Sequence, residues 1–508
     1  MKLNQVKVGA VLSYVSLILG TIVSLIYTPI MLNRLGDSEY GVYNLVLPVV
    51  SYLNLLSFGL GSAYTRYYSR FKAADDKKGM AKLNGMFLTT YLVLGTLVLL
   101  IGLLISFNAP FVFGNKLTTE ELELAKRLMI ILSISAALSF PISVFESHVM
   151  INEEYLFQKL VAMGKTVLNP LIMIPLLLIG FRSFTLVILT LIFTIVSGIL
   201  NIFYCVKKLH MPINMHHFDF PLMKEMVGFT SYVFIGIIVD QLNWSVDRLL
   251  LGWIHGTTAV TIYVQGAQLN LYYLSLATAF SGVLTPRVHR MVSENRPNSE
   301  ISELFTRTGR LQFLLMAMVF LGFVAVGRPF VVQWSGGAAQ FNVSYYIGLI
   351  LFASTLVPAI QNVGIEIQRA KNMHKFRSLV YLGVAIGNIA LSIPLTTMWK
   401  GLGASIGTFI SVLIGNVFLM NWYYYKRIGL DIPDFWRQVC KLLPGVILPL
   451  VVAIYIAEFN PFFSYLGVLL GGCLFIAVYI PSMWFLGMNR YEKDLVLVPL
   501  RRLFKKRA

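Results

Sequence analysis

The sequence predicts an all-α polytopic membrane protein of about fourteen transmembrane helices: two six-helix lobes with two further helices at the C-terminal end. Three observations lead there. Hydrophobic residues make up 57% of the 508 and charged residues only 13%, with a mean hydropathy of +0.73, a balance suited to lipid as the main solvent. Apolar stretches of about 20 residues, enough to cross roughly 30 Å of hydrocarbon as helix, recur along the whole chain. Finally, residues 157–176 repeat without a gap at 376–395. Phe157, Leu160, Val161, Gly164, Asn169, Ile174, Pro175 and Leu176 align with Phe376, Leu379, Val380, Gly383, Asn388, Ile393, Pro394 and Leu395. Internal symmetry of this kind is how many transporters build a path between repeats, so the duplication points to membrane transport as the function class.

Taken in order, the first lobe comprises apolar segments near 8–31, 41–64, 84–107, 127–150, 158–180 and 184–205. The first of these follows Met1 to Lys7 and resembles a signal sequence, but its run of about 24 residues is too long for a typical h-region and lacks an A-x-A-like cleavage site, so a retained span is expected. The second lobe comprises 225–252, 258–284, 311–334, 344–367, 377–398 and 401–424, and the two added spans lie near 440–458 and 464–487. The corresponding division of the chain is 1–219, 220–436 and 437–508, the last including a basic tail. An even number of spans puts both termini on one side. Six Lys and Arg lie on the other: Arg34, Lys116, Lys126, Arg127, Arg182 and Lys400. Lys165, Arg248 and Arg328 fall within spans, and the remaining 32 of the 41 lie on the side of the termini. The positive-inside rule then places both termini in the cytoplasm. A displacement of six spans leaves the lobes in the same orientation, related by a pseudo-twofold axis along the membrane normal. The run from Arg501 to Arg507 is expected on the anionic inner leaflet, or as a plain topology anchor.

The net charge of +18 does not indicate nucleic acid, because the basic residues are scattered through short connections with no stacking-aromatic platform or reader motif. No phosphate loop, nucleophile elbow, H-E-x-x-H or paired-cysteine metal site occurs, so no cofactor, metal or catalytic residue is expected. Cys205, Cys440 and Cys473 are expected as packing residues. Tyr40, Tyr43, Trp253, Tyr263, Trp334 and Trp422 fall at predicted interfaces and read mostly as belt residues.

Charges at membrane depth are costly and are usually retained for a reason. Lys165 lies about two turns into the fifth span, where the second lobe has Val384, and so breaks the repeat symmetry. It reads as a cation meeting an anionic headgroup, or as a lysine paired to Glu146 or snorkelling. Asp240, with Gln241 and Asn243 beside it, makes a wet stripe on the seventh span; it reads as a protonatable coupling site or as a helix-to-helix hydrogen-bonding group. Asp247 and Arg248 lie further along, as an ion pair or as site residues. Glu146 and Glu366 occupy matching places near the ends of spans four and ten, and Arg66 and Arg369 end spans two and ten; together they can rim an inner vestibule or simply mark helix ends. His148 and Arg328 read as a packing histidine and a snorkelling arginine.

At the first outer loop the chain reads Leu35-Gly36-Asp37-Ser38-Glu39-Tyr40-Gly41-Val42-Tyr43-Asn44-Leu45. This resembles the signature after the first span of polysaccharide-transport flippases. Asp247-Arg248-Leu249-Leu250-Leu251-Gly252 with Ala259-Val260-Thr261-Ile262-Tyr263, and Lys400-Gly401-Leu402-Gly403-Ala404, are similar to that family's later patterns. The resemblance covers the full length and is to the Wzx-type branch of the multidrug/oligosaccharidyl-lipid/polysaccharide superfamily. It implies a flippase that moves an undecaprenyl-pyrophosphate-linked oligosaccharide (an O-antigen, capsule or exopolysaccharide unit) from the inner to the outer leaflet of the bacterial cytoplasmic membrane. A polymerase and a chain-length regulator are the partners it implies. On that reading Lys165, Arg66, Arg369 and Arg248 meet the substrate, and Asp240, Glu146 and Asp247 couple an ion. A cation-coupled small-molecule antiporter of the same superfamily should favour acidic cavity residues, whereas the charges here are mixed. A membrane glycan polymerase or ligase needs outer-loop acids, bases or arginines at its substrate, and these outer loops are short and poor in charge.

Overall fold

The computed structural model describes residues 5–505 apart from 115, 216–217, 374 and 460–463. Among the described residues the chain is helical throughout, with no strand. It packs as two units, Met1–Thr261 and Ile262–Ala508.

The first unit holds α1 (Gln5–Asn54), α2 (Leu60–Ala73), α3 (Lys77–Phe107), the short α4 (Ala109–Phe113), α5 (Thr119–Ile151), α6 (Tyr155–Ile179), α7 (Ser183–Lys207), α8 (Phe220–His255) and the first turn of α9 (Thr257–Gly282). Two predicted spans share α1 because the helix breaks at Gly36, whose φ of 78° and ψ of 169° suit a residue without Cβ. The second of these spans continues through Leu55–Ser57 into α2. Helix α3 packs on α5, and α5 on α7. Glycines allow the first contact: a Cβ on Gly95 would lie 2.6 Å from the Ala137 carbonyl oxygen, and one on Gly102 2.1 Å from Ser133 Oγ, the small-residue solution to membrane helix packing. Helix α8, which the span count assigns to the second lobe, packs on α1 and α2 in this unit.

The second unit continues α9 and adds α10 (Thr285–Ser293), α11 (Asn298–Trp334), α12 (Asn342–Ile360), α13 (Val363–Ala370), α14 (Lys375–Val412), α15 (Asn421–Tyr423) flanked by π-helical turns, α16 (Ile432–Cys440), α17 (Leu443–Phe459), α18 (Tyr465–Ser482) and α19 (Arg490–Lys505). Helix α11, with 37 residues, is the hub on which α12, α16, α17 and α18 pack. At 1.5 Å per residue it is about 55 Å long, well beyond one hydrocarbon thickness. Helix α14 contains one predicted span and the first half of the next, which continues through the π-helical turn after it, and it breaks at Trp399 and Lys400, where φ reaches 51°.

Nine helical stretches among the described residues are long and apolar enough to cross a membrane, and α16 with α17, bent by 49°, makes a tenth. Two of the nine, Val15–Ala73 and Phe376–Ile428, each contain one of the two breaks and two predicted spans. With α8 and α9 added, all fourteen predicted segments fall on helix.

The repeat survives in the packing. Phe157 stacks on Tyr204 at 3.8 Å and 14°, and Phe376 stacks on Tyr423 at 4.1 Å and 13°; both residues of the second pair stand 219 positions after those of the first. The equivalent of Lys165, Val384, is buried. Several expectations at helix ends are corrected. Trp253 and Trp422 are exposed as belt residues would be, but Tyr40, Tyr263 and Trp334 are buried, because neighbouring helices cover those ends. Cys205 is a packing residue, whereas Cys440 and Cys473 are exposed on outward helix faces.

Candidate functional site

Polar groups in the first unit gather in three places, beginning at the helix ends that carry its basic connections. Tyr64 on α2 donates a hydrogen bond to Asn84 Oδ1 at 2.7 Å and lies 3.2 Å from His148 Nδ1 on α5. Asn84 donates in turn to the Pro212 carbonyl at 2.8 Å. Burial without a partner would cost each group, and the network satisfies all three; His148 therefore packs. Tyr67 donates to Glu225 of α8 at 2.7 Å, and Lys72 to Asn152 Oδ1 at 2.8 Å. Asp219 caps α8 by accepting from the Leu222 N–H at 3.0 Å and pairs with Lys82 at 2.9 Å. The backbone N–H of Leu222 and the Lys82 ammonium hold the Asp219 carboxyl below the usual carboxylate range.

Arg66 lies exposed beside this network, its guanidinium 5.9 Å from the Tyr67 ring. Lys165 on α6 is half-buried and lies close enough to Glu146 on α5 for their charges to interact. Among the described residues the two form no ion pair within 4.0 Å.

The second place is the polar stripe of α8. Gln241 donates to Ser245 Oγ at 2.6 Å one turn further on. Asp247, 5% exposed, interacts electrostatically with Tyr52 of α1. The Nε of Arg248 is buried with no hydrogen-bond partner among the described residues. The side chain of Asp240 lies outside the described residues; its backbone is in α8. A guanidinium nitrogen buried without a partner inside a membrane helix is expensive, and charged groups there mark ligand paths by default.

The third place, at the opposite helix ends, contains two carboxylates whose role the sequence reading missed. Glu39 accepts from the Ser183 N–H at 2.8 Å and hydroxyl at 2.6 Å, and pairs with Arg182 at 3.2 Å. Glu121 accepts from Ser38 Oγ and Thr257 Oγ1, both at 2.5 Å, while forming a reciprocal cap with Thr118 at the start of α5. Thr261 donates to the Asp37 carbonyl at 2.6 Å. The signature from Asp37 to Gly41 is thus a clasp that ties α1 to the first turns of α5, α7 and α9. Thr118-x-x-Glu121 has the spacing of a capping box and was the available signal.

In the second unit Arg369 pairs with Glu366 at 2.7 Å, and Glu366 also lies 3.8 Å from His289. Arg328 donates to Asn342 Oδ1 at 2.8 Å. A buried amide and hydroxyl cluster sits at the repeat position, where Asn388 Oδ1 accepts from Ser392 at 3.0 Å and Thr408 at 3.4 Å. Arg66, Lys165, Glu146, Asp247 and Arg248 thus share one unit, with Arg369 in the other. No group of three or more metal-ligating side chains occurs among the described residues.

A family profile described as Polysaccharide biosynthesis protein matches residues 7–292, more than half of the chain. The chain belongs to that family. Over 401 residues it is 21% identical to "Probable flippase AglR" of Haloferax volcanii, covering 78% of this chain and 79% of that one. The fold is that of multidrug and flippase transporters. A structure of the lipid II flippase MurJ in an inward closed conformation matches with TM-score 0.73 at 17% identity, over 96% of this chain and 99% of the other. An inward-facing multidrug resistance MATE family transporter of the MOP superfamily matches with TM-score 0.62 at 16% identity, over 83% and 96%. The family member in hand is a multi-pass membrane protein.

Proposed function

We propose that this protein is a flippase for an undecaprenyl-pyrophosphate-linked oligosaccharide, carrying it from the inner to the outer leaflet of the bacterial cytoplasmic membrane with both termini in the cytoplasm. The observation that carries the reading is the pair of cationic side chains at membrane depth in the first unit, Lys165 and the incompletely satisfied Arg248, in a chain of the polysaccharide biosynthesis family. The names of AglR and MurJ support it. A pyrophosphate cannot enter about 30 Å of hydrocarbon without counter-charge, while the polyprenyl tail stays in lipid.

Mechanistically, Arg66 and Arg369 attract the headgroup at the basic helix ends, and Lys165 and Arg248 receive the two phosphates in turn. Lys165 is positioned by the nearby Glu146 charge without being neutralised in a close pair. Asp247, with Glu146 and Asp240, offers the carboxylates to which a coupling ion binds, and transport proceeds by alternating access. Product passes to a polymerase and a chain-length regulator. The protein supplies binding and movement, not bond chemistry.

A second reading, a cation-coupled small-molecule antiporter, is favoured by the buried carboxylate of Asp247 and by likeness to the multidrug transporter. Deleting the gene and complementing it separates the two. The flippase reading expects lipid-linked repeat units to accumulate on the inner leaflet in the deletion strain, and complementation by the wild-type chain but not by a Lys165→Ala, Arg248→Ala variant. Normal surface glycan in the deletion strain overturns it.

A further inference from the structure

We propose that the second unit binds one resident anionic phospholipid in the groove between α10, the first turns of α11, and α19. The lipid phosphate sits at Arg287 and Arg290, and an acyl chain lies along Leu304 and Leu495. This site is separate from the residues assigned to the cargo. It rests on the membrane reading of the chain but not on the identity of what is carried.

The groove is a cavity of about 500 Å³ whose floor is Phe280, Leu284, Leu304 and Leu311 and whose wall is Tyr491 and Leu495. It adjoins a second cavity of about 610 Å³ that shares Arg287 and adds Arg290 and Arg296. The carboxylates here are already engaged. Glu303 pairs with Arg307, whose guanidinium also lies 4.9 Å from the Tyr491 ring. Glu294 and Glu300 pair with Arg296 at 3.0 and 3.7 Å. Arg287 and Arg290 are exposed, one helical turn apart on α10, and have no ion-pair partner among the described residues. Three residues of separation puts them on one helix face.

The rim therefore asks for an anion and the floor for hydrocarbon. Val283, Tyr491 and Leu495 are exposed apolar surface bordering these arginines, a combination that fits an amphiphile and not a free ion.

The wall is also prebuilt. Glu492 in the first turn of α19 accepts from Arg310 Nε at 2.6 Å and Nη2 at 3.0 Å, with side chains only 4% and 2% exposed. Arg310 donates as well to the Gln438 and Gly487 carbonyls. Asn489 and Glu492 cap each other at 2.8 and 2.9 Å. A wall held this way needs no ordering when the lipid binds, which favours affinity. The occupant is a phospholipid because the inner leaflet supplies anionic headgroups to juxtamembrane arginines.

Native mass spectrometry of the purified full chain in micelles doped with phosphatidylglycerol or phosphatidylcholine tests this. The expected result is retention of one phosphatidylglycerol in preference to phosphatidylcholine, weakened about tenfold or more in the Arg287→Gln, Arg290→Gln variant. Leu495→Asp, which keeps both arginines, should weaken it too. Equal retention of the two lipids, or unchanged retention in both variants with thermal stability preserved, overturns the proposal. Displacement by millimolar inorganic phosphate would make this a free-anion site, and displacement by a pyrophosphate-linked oligosaccharide lipid would assign it to the cargo; either outcome overturns the resident lipid. The readout is binding, so a failed transport assay leaves it intact.

Discussion

The Glu39 carboxylate accepts hydrogen bonds from both the N–H and the hydroxyl of Ser183. It thereby satisfies a free donor at the start of α7, where the helix dipole also favours negative charge. Glu39→Ala strands that buried N–H and should cost about 1–3 kcal/mol. Glu39→Gln, which keeps an acceptor, should cost less. Thermal denaturation in detergent with the three chains side by side checks the order.

The approach of α1 to α9 at the same clasp depends on Gly41. A Cβ there would lie 2.3 Å from the Thr257 carbonyl oxygen, a backbone atom that cannot swing aside. Gly41→Ala is expected to push the helices apart at about 1–3 kcal/mol, read as a lower melting temperature, whereas alanine at Gly164, which has nothing within 4 Å, should be near neutral.

Removing one partner of the buried Arg310 and Glu492 pair leaves an uncompensated charge. Arg310→Ala should destabilise by about 3–5 kcal/mol, and Arg310→Met with Glu492→Leu by clearly less. A double-mutant cycle on melting temperatures measures the difference. Equal losses would show that the pair is not satisfied as described.

The pH dependence follows from Asp219. Its folded carboxyl titrates below its unfolded value, so the stability it contributes is present above the ordinary carboxylate pKa of about 3.9 and is lost as pH falls through that value toward the folded one. Asp219→Asn should flatten this part of the acid limb, in melting temperatures taken between about pH 6 and pH 3. An unchanged limb would remove Asp219 from the account.

Much of this architecture was legible beforehand, for identifiable reasons. Apolar length alone located segments that all fall on helix, because lipid forces backbone bonds inside each segment. The aligned Phe157 and Phe376 announced a duplication that their stacking on Tyr204 and Tyr423 repeats in space. Tertiary coverage was not legible: Tyr40 and Trp334 have belt composition at belt depth, yet neighbouring helices bury them. The roles of Glu39 and Glu121 were not legible because donors to them lie 144 and 136 residues away, at Ser183 and Thr257. Lys165 lies near Glu146, one of the arrangements its sequence position allowed, but Arg248 beside Asp247 gave no hint that its Nε would lack a partner.

Neutralising the proposed headgroup cations separates charge from fold. Lys165→Gln should lower flipping at least tenfold while leaving melting temperature nearly unchanged, since Lys165 is in no close ion pair, and Lys165→Arg should restore most of the rate. Both are checked in one reconstituted preparation. Equal activity of the glutamine variant would remove Lys165 from the substrate path.

The most direct measurement is the accessibility of a pyrophosphate-linked oligosaccharide lipid to an impermeant glycan-modifying probe in sealed vesicles, with and without purified protein, under an imposed proton or sodium gradient. The flippase account predicts protein-dependent exposure of the glycan that accelerates under one of the two gradients. No protein-dependent exposure across several pyrophosphate-linked glycans, in vesicles where correct insertion is verified, would contradict it.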